Sequence, residues 1–146
     1  MLLSGQTIAS TSLEQASYQQ QLKAAQQGNV EAQFYIGLRY YNGDGVPQSY
    51  TKAVEWFKKS AQQGDPDAQF VLGVMYEDGE GVPVDITQSV KWYIKAAQQG
   101  HADAQLNLGV FYIEGRGVKQ NLSKEKNYTD KRASKDRCQA VMSFTG

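Results

Sequence analysis

Apolar positions recur along this chain with a helical rhythm, and the rhythm itself recurs. Ala32, Gln33, Ile36, Gly37 and Tyr40 are spaced to share one side of a 3.6-residue helix. The same offsets return at Ala68, Gln69, Leu72, Gly73 and Tyr76, and again at Ala104, Gln105, Leu108, Gly109 and Tyr112. A second stripe follows each of the first two, as Ala53, Trp56, Phe57 and Ser60 and then as Ser89, Trp92, Tyr93 and Ala96. The copies stand 36 residues apart, as Gly28, Gly64 and Gly100 do, or Val46, Val82 and Val118. A fixed period in this range predicts stacked helix pairs, because one pair cannot bury its apolar stripe alone and a neighbour supplies the missing surface.

Punctuation residues mark the elements. Asn29 and Asp65 are N-cap types at the start of the first helix, Pro66 suits the first helical position, and Gly43, Gly79 and Gly115 suit its left-handed stop. Ser49, Asp85 and Asn121 cap the second helix in the same way. The mid-helix Gly37, Gly73 and Gly109 each cost about 1 kcal/mol against Ala, so three of them imply close approach of the partner helix. The predicted organisation is an irregular lead over 1–12 and a solenoid over 13–133, with 134–146 a short cap or tail. Within the solenoid, 13–24 is a partial cap and the repeats fall at about 25–60, 61–96 and 97–133. The cap reads as a second helix from Leu13 to Ala24, with Gln20 and Gln21 where later copies have Trp56 and Phe57. The last second helix, Leu122–Arg132, is degraded and reads as facing solvent.

Composition narrows the function classes. The formal net charge is zero over 146 residues, which gives no global pull toward nucleic acid or an anionic lipid surface. Residues 119–137 are net +4 and the remainder net −4, so the alternative to protein binding is nucleic-acid or anionic-partner binding through that basic segment. One His and one Cys supply no zinc-site spacing and no Cys-His pair. The only histidine, His101, stands at a helix start and reads as a cap or a surface residue. The Gly-x-Gly pairs at 43/45, 79/81 and 115/117 join helix to helix and lack the strand and Lys-Ser/Thr of a phosphate loop. The expectation is a non-enzymatic protein with no cofactor, no metal and no small-molecule substrate. No apolar stretch approaches the roughly 18 residues of a membrane span. A soluble protein is expected, monomeric or weakly dimeric, in a bacterial cytoplasm or, if an upstream signal peptide was removed, exported or periplasmic.

The pattern Ala-Gln-x-x-Leu-Gly-x-x-Tyr-x-x-Gly-x-Gly-Val, followed by Ala-x-x-Trp-[Phe/Tyr]-x-Lys-[Ser/Ala]-Ala, resembles the Sel-one-like repeats, relatives of the tetratricopeptide repeats, over about residues 13–133. The resemblance implies an all-α, right-handed α-solenoid that serves as an adaptor or scaffold. It also implies that the first helices line a concave groove with the residues opposite their core stripe. In this sequence those are Glu31, Phe34, Leu38, Tyr41 and Asn42 in the first repeat, and Asp67, Phe70, Val74, Glu77 and Asp78 in the second. In the third they are Asp103, Leu106, Val110, Ile113 and Glu114. Phe34/Leu38, Phe70/Val74 and Leu106/Val110 then form an apolar stripe across repeats, flanked by acids. The partner that fits is a protein segment presenting apolar and basic side chains.

Overall fold

The computed structural model describes residues 12–116, which form six helices and no strand: α1 Tyr18–Gln26, α2 Val30–Asn42, α3 Tyr50–Gln62, α4 Pro66–Asp78, α5 Ile86–Gln98 and α6 Ala102–Glu114. Each helix packs mainly on its neighbours in sequence, giving an all-α repeat solenoid with α2, α4 and α6 in one layer and α1, α3 and α5 in the other. The lead before residue 12, the basic segment 119–137, Asn121, the helix Leu122–Arg132 and the tail 134–146 lie wholly or largely outside the described residues.

The helices start where their caps allow. The side chains of Asn29, Ser49, Asp65, Asp85 and His101 each accept a backbone N–H from the first turn that follows, which satisfies a donor that the helix cannot. Helices α2, α4 and α6 stop at Gly43, Gly79 and Gly115 in the left-handed region, with φ of 71°, 76° and 68°.

The first helix departs from expectation. It begins at Tyr18 rather than Leu13, because Ser17 and Gln20 form a reciprocal capping box, each side chain accepting the other's backbone N–H. Residues 12–16 instead turn back over the end of the stack. There Gln21, in register with Phe57, is 1% exposed. Its Nε2 donates to the Leu13 carbonyl at 2.6 Å, its Oε1 accepts from Arg39, and Arg39 Nη2 donates to the Ala16 carbonyl at 2.9 Å. A buried amide and a cation close this end through hydrogen bonds, where the later repeats use packed apolar groups.

Three apolar clusters run along the stack. Ala25, Ala32 and Ile36 form the first, Ala53, Val54, Phe57, Ala61, Ala68, Leu72 and Met75 the second, and Val90, Tyr93, Ala96, Ala97, Ala104, Leu108, Phe111 and Tyr112 the third. Gly37 and Gly73 serve this packing. A Cβ on Gly37 would stand 2.6 Å from the Phe57 ring, and one on Gly73 would likewise strike the Tyr93 ring. The close approach is thus by an aromatic face of the partner helix rather than by its backbone.

The buried glutamines are explained by a relay. Gln33, Gln69 and Gln105 each donate at 3.1 Å to the carbonyl of a residue eight positions back, Ala25, Ala61 or Ala97. Gln63 Nε2 in turn donates to Gln33 Oε1 at 2.8 Å, and Gln99 Nε2 to Gln69 Oε1 at 2.9 Å. The relay therefore links the ends of successive second-layer helices through the first-layer helix between them. Among the described residues Gln105 Oε1 has no partner.

Candidate functional site

The first-layer face carries two creases, one between α2 and α4 and one between α4 and α6. The first is open in two places. Near the helix N-termini, Val30, Glu31, Phe34, Tyr35, Gln63, Gly64, Asp65 and Asp67 line a hollow of about 430 Å3. Further along the same two helices, Leu38, Tyr41, Phe70, Val71, Val74 and Met75 line a nearly wholly apolar hollow of about 210 Å3. A smaller one, about 180 Å3, lies toward the capped end and includes Asn42, Leu38, Tyr35 and Arg39.

Chemistry differs between the two main hollows. The larger is acid-lined, and the field is felt by Tyr35, whose phenol is raised above its ordinary pKa of 10.0 first by burial and then by Glu14, Glu31, Asp67 and Asp65. The smaller has as its one polar tip the Tyr41 hydroxyl, which donates to Glu80 Oε2 at 2.9 Å. That bond, with burial second, pushes the Tyr41 phenol up to about 12.

The second crease is bridged by side chains. His101, at the start of α6, lays its ring on Phe70 with centroids 4.7 Å apart and places Nε2 at 3.2 Å from Asp67 Oδ1. Deeper in, Tyr93 donates its hydroxyl to Glu77 Oε2 at 2.9 Å and accepts from Asn107 Nδ2 at 3.2 Å. Arg116 pairs with Glu77 at 3.4 Å and with Glu114 at 3.6 Å. Burial raises the Tyr93 phenol well above its ordinary range, and the Glu77 carboxylate adds to the rise.

The fifteen residues expected to line a groove are thus sorted by the fold. Glu31, Phe34 and Asp67 meet in the acid-lined hollow, and Leu38, Tyr41, Phe70 and Val74 meet in the apolar one. Glu77 is engaged by Tyr93 and Arg116, so it is a structural acceptor as much as a rim charge. Asn42, Asp78, Asp103 and Glu114 are exposed, while Leu106, Val110 and Ile113 are half-buried on α6 and line neither main hollow. Phe34 and Phe70 also pack inward, at 5.6 Å on the Phe57 ring and 5.7 Å on the Tyr93 ring. Tyr35, Asp65, Val71 and Met75 line the hollows without having been singled out for them. The available signal was the comparison of copies, since Val71 and Asn107, like Asp65 and His101, occupy one register position with unlike chemistry.

The model of the Sel1 repeat matches residues 30–65, 66–101 and 102–124. This chain belongs to the Sel1 repeat family. Each matched window opens on the first residue of a first-layer helix. A crystallised protective antigen of uropathogenic Escherichia coli with an SLR fold is 45% identical, with a TM-score of 0.78 over 85% of this chain and 26% of its own. A Sel1 repeat protein from Oxalobacter formigenes is 39% identical, with a TM-score of 0.73 over 74% of this chain and 44% of its own. The chain therefore spans less than half the length of either. Helicobacter pylori cysteine rich protein B, 22% identical with a TM-score of 0.61 over 82% of this chain and 91% of its own, shares the fold. A search of curated proteins gave no match. Sel1 repeats are generally protein–protein interaction modules and generally non-catalytic scaffolds. Among the described residues no helix is long and apolar enough to cross a membrane.

Proposed function

We propose that this Sel1 repeat chain is a non-enzymatic binding module that takes a segment of another protein on its first-layer face, centred on the α2–α4 crease. The observation that carries the reading is the apolar hollow of Leu38, Tyr41, Phe70, Val71, Val74 and Met75, which lies beside an acid-lined hollow on the same two helices. An apolar anchor desolvates in the first, and the second meets a cation.

Charge is sorted by layer in a way that favours this face for a basic segment. Helices α2, α4 and α6 carry six carboxylates and Arg39, whereas α1, α3 and α5 carry six lysines and Glu55. Two of those lysines, Lys59 and Lys95, lie over the rings of Trp56 and Trp92 at 4.1 and 4.5 Å.

Selection from a displayed random-peptide library tests the reading, with the wild-type chain compared against Val74→Lys. Val74 is half-buried, so the lysine reaches water by extending its stem while its charge spoils the hollow. Enrichment of peptides with a bulky apolar residue on the wild type, lost on Val74→Lys with helicity retained, is expected. Equal enrichment on both proteins, or none on the wild type, would overturn the assignment.

A further inference from the structure

The two creases share one register, so each shows what the other lacks. In the second, a planar nitrogen ring completes a three-part arrangement. His101 lies on Phe70 with an interplanar angle of 21°, its Nε2 faces the Asp67 carboxylate, and its Nδ1 accepts the Ala104 N–H. An accepting Nδ1 leaves the proton of the neutral ring on Nε2, aimed at Asp67.

Thirty-six residues earlier the aromatic platform and the carboxylate are both present, as Phe34 and Glu31, but Asp65 stands where His101 does. Asp65 is turned to its own helix end, accepting the Ser60 hydroxyl at 2.8 Å and the Asp67 N–H at 3.1 Å. What remains is the hollow of about 430 Å3. Among the described residues no cation pairs with Glu31.

We propose that this hollow is a subsite for an arginine side chain of the bound segment, the guanidinium lying on Phe34 as His101 lies on Phe70 and donating to the Glu31 carboxylate. The inference rests on the groove reading above and names what the groove recognises. Arginine fits better than lysine because its planar group both stacks on a ring and donates through a fork, whereas an ammonium is a hydrated point charge. Three carboxylates around the hollow exclude an anionic group.

The geometry also sets the direction of the segment. Phe34 and Tyr41 are seven residues apart on α2, a rise of about 10 Å, which a polyproline II segment, with about three residues per turn and a rise of about 3.1 Å per residue, covers in about three residues while keeping both side chains on one side. The ligand therefore presents arginine and a bulky apolar residue three positions apart and runs along α2 and α4 within one crease. The sequence stripe instead pointed across the repeats.

The test uses fluorescein-labelled hexapeptides containing Arg-Ala-Ala-Leu or Leu-Ala-Ala-Arg, each also made with citrulline or lysine in place of arginine, titrated by anisotropy into the whole chain. Citrulline keeps the shape and removes the charge, and a loss of at least about tenfold is expected, with lysine between the two. Asp65→His gives the first crease the residue that the second already has, and a histidine caps a helix at that register position. It should abolish the preference for arginine while the circular dichroism spectrum stays the same. Equal binding of arginine and citrulline peptides, or an intact preference in Asp65→His, overturns the subsite; if Val74→Lys still abolishes that binding, the groove reading survives. Failure of every peptide to bind removes both.

Discussion

The creases on either side of α4 are made from copies of one sequence, yet the first opens into hollows and the second is bridged by side-chain contacts. Four register positions account for the difference, and a fifth is shared. Phe57, Tyr41 and Val71 leave the first crease apolar, while Tyr93, Glu77 and Asn107 at the matching positions form a hydrogen-bonded knot. Asp65 leaves the N-terminal end open where His101 closes it. Glu31 and Asp67 keep a carboxylate at the fifth position, with an imidazole beside Asp67 alone. The scaffold is therefore set by positions that repeat, and the proposed binding surface by positions that do not.

The largest blow to this contrast falls on its shared foundation. Phe57 is fully buried, contacts Phe34 and packs in one cluster with Met75. Phe57→Ala should cost about 3–5 kcal/mol in urea unfolding and collapse both hollows of the first crease, so peptide binding goes with it. A smaller effect separates the creases. Gly37→Ala and Gly73→Ala both push a methyl into a ring, and overpacking costs about 1–3 kcal/mol, offset in part by about 1 kcal/mol of helix propensity. Tyr93 is held by hydrogen bonds to Glu77 and Asn107 that Phe57 lacks, so Gly73→Ala should be the more destabilising of the two. Equal losses would show that the knot does not fix the ring.

Smaller again is Tyr93→Phe, which removes the hydroxyl joining Glu77 and Asn107 and should cost about 1 kcal/mol. Its signature is a loosened second crease with the first unchanged, read as faster amide exchange in α6 than in α2. The smallest effect is one of pH. The phenols of Tyr41 and Tyr93 are both raised in the fold, Tyr41 to about 12, above the ordinary value near 10. The unfolded chain thus loses these protons first as pH rises. Their contribution is complete below about pH 10 and declines as pH climbs from 10 through 12. Melting temperature followed from pH 8 to 12 should fall above 10, with a shallower slope in Tyr41→Phe. A slope that the substitution leaves unchanged would remove the Tyr41–Glu80 bond from the account.

The solenoid was legible in the sequence because its physics is periodic. Caps, glycine stops and the core stripe of the first helices return at the same register and can be read by counting. What could not be read was which side chains exchange partners across the stack. Gln21 with Arg39, Phe57 with Met75 and Tyr93 with Phe111 occupy one inter-repeat location three times, once by hydrogen bonding and twice by packing. The helix expected from Leu13 begins at Tyr18 for the same reason, since a local capping box outweighs the register inherited from the other repeats. At the candidate site, the acids and apolar anchors were visible as residue types. The unequal filling of the creases depends on contacts between α4 and α6, such as His101 on Phe70, that no single helix displays.

The glutamine relay has a mechanical consequence. Each link ties one second-layer helix to the next through a side-chain amide, beside the apolar packing that joins the same helices, so a stack pulled from its ends loads both together. The segment between Ala25 and Gln99 is then held twice over, by directional amide bonds and by packing. Replacing Gln69 would remove one such tie at α4 and leave the apolar packing to hold the stack there.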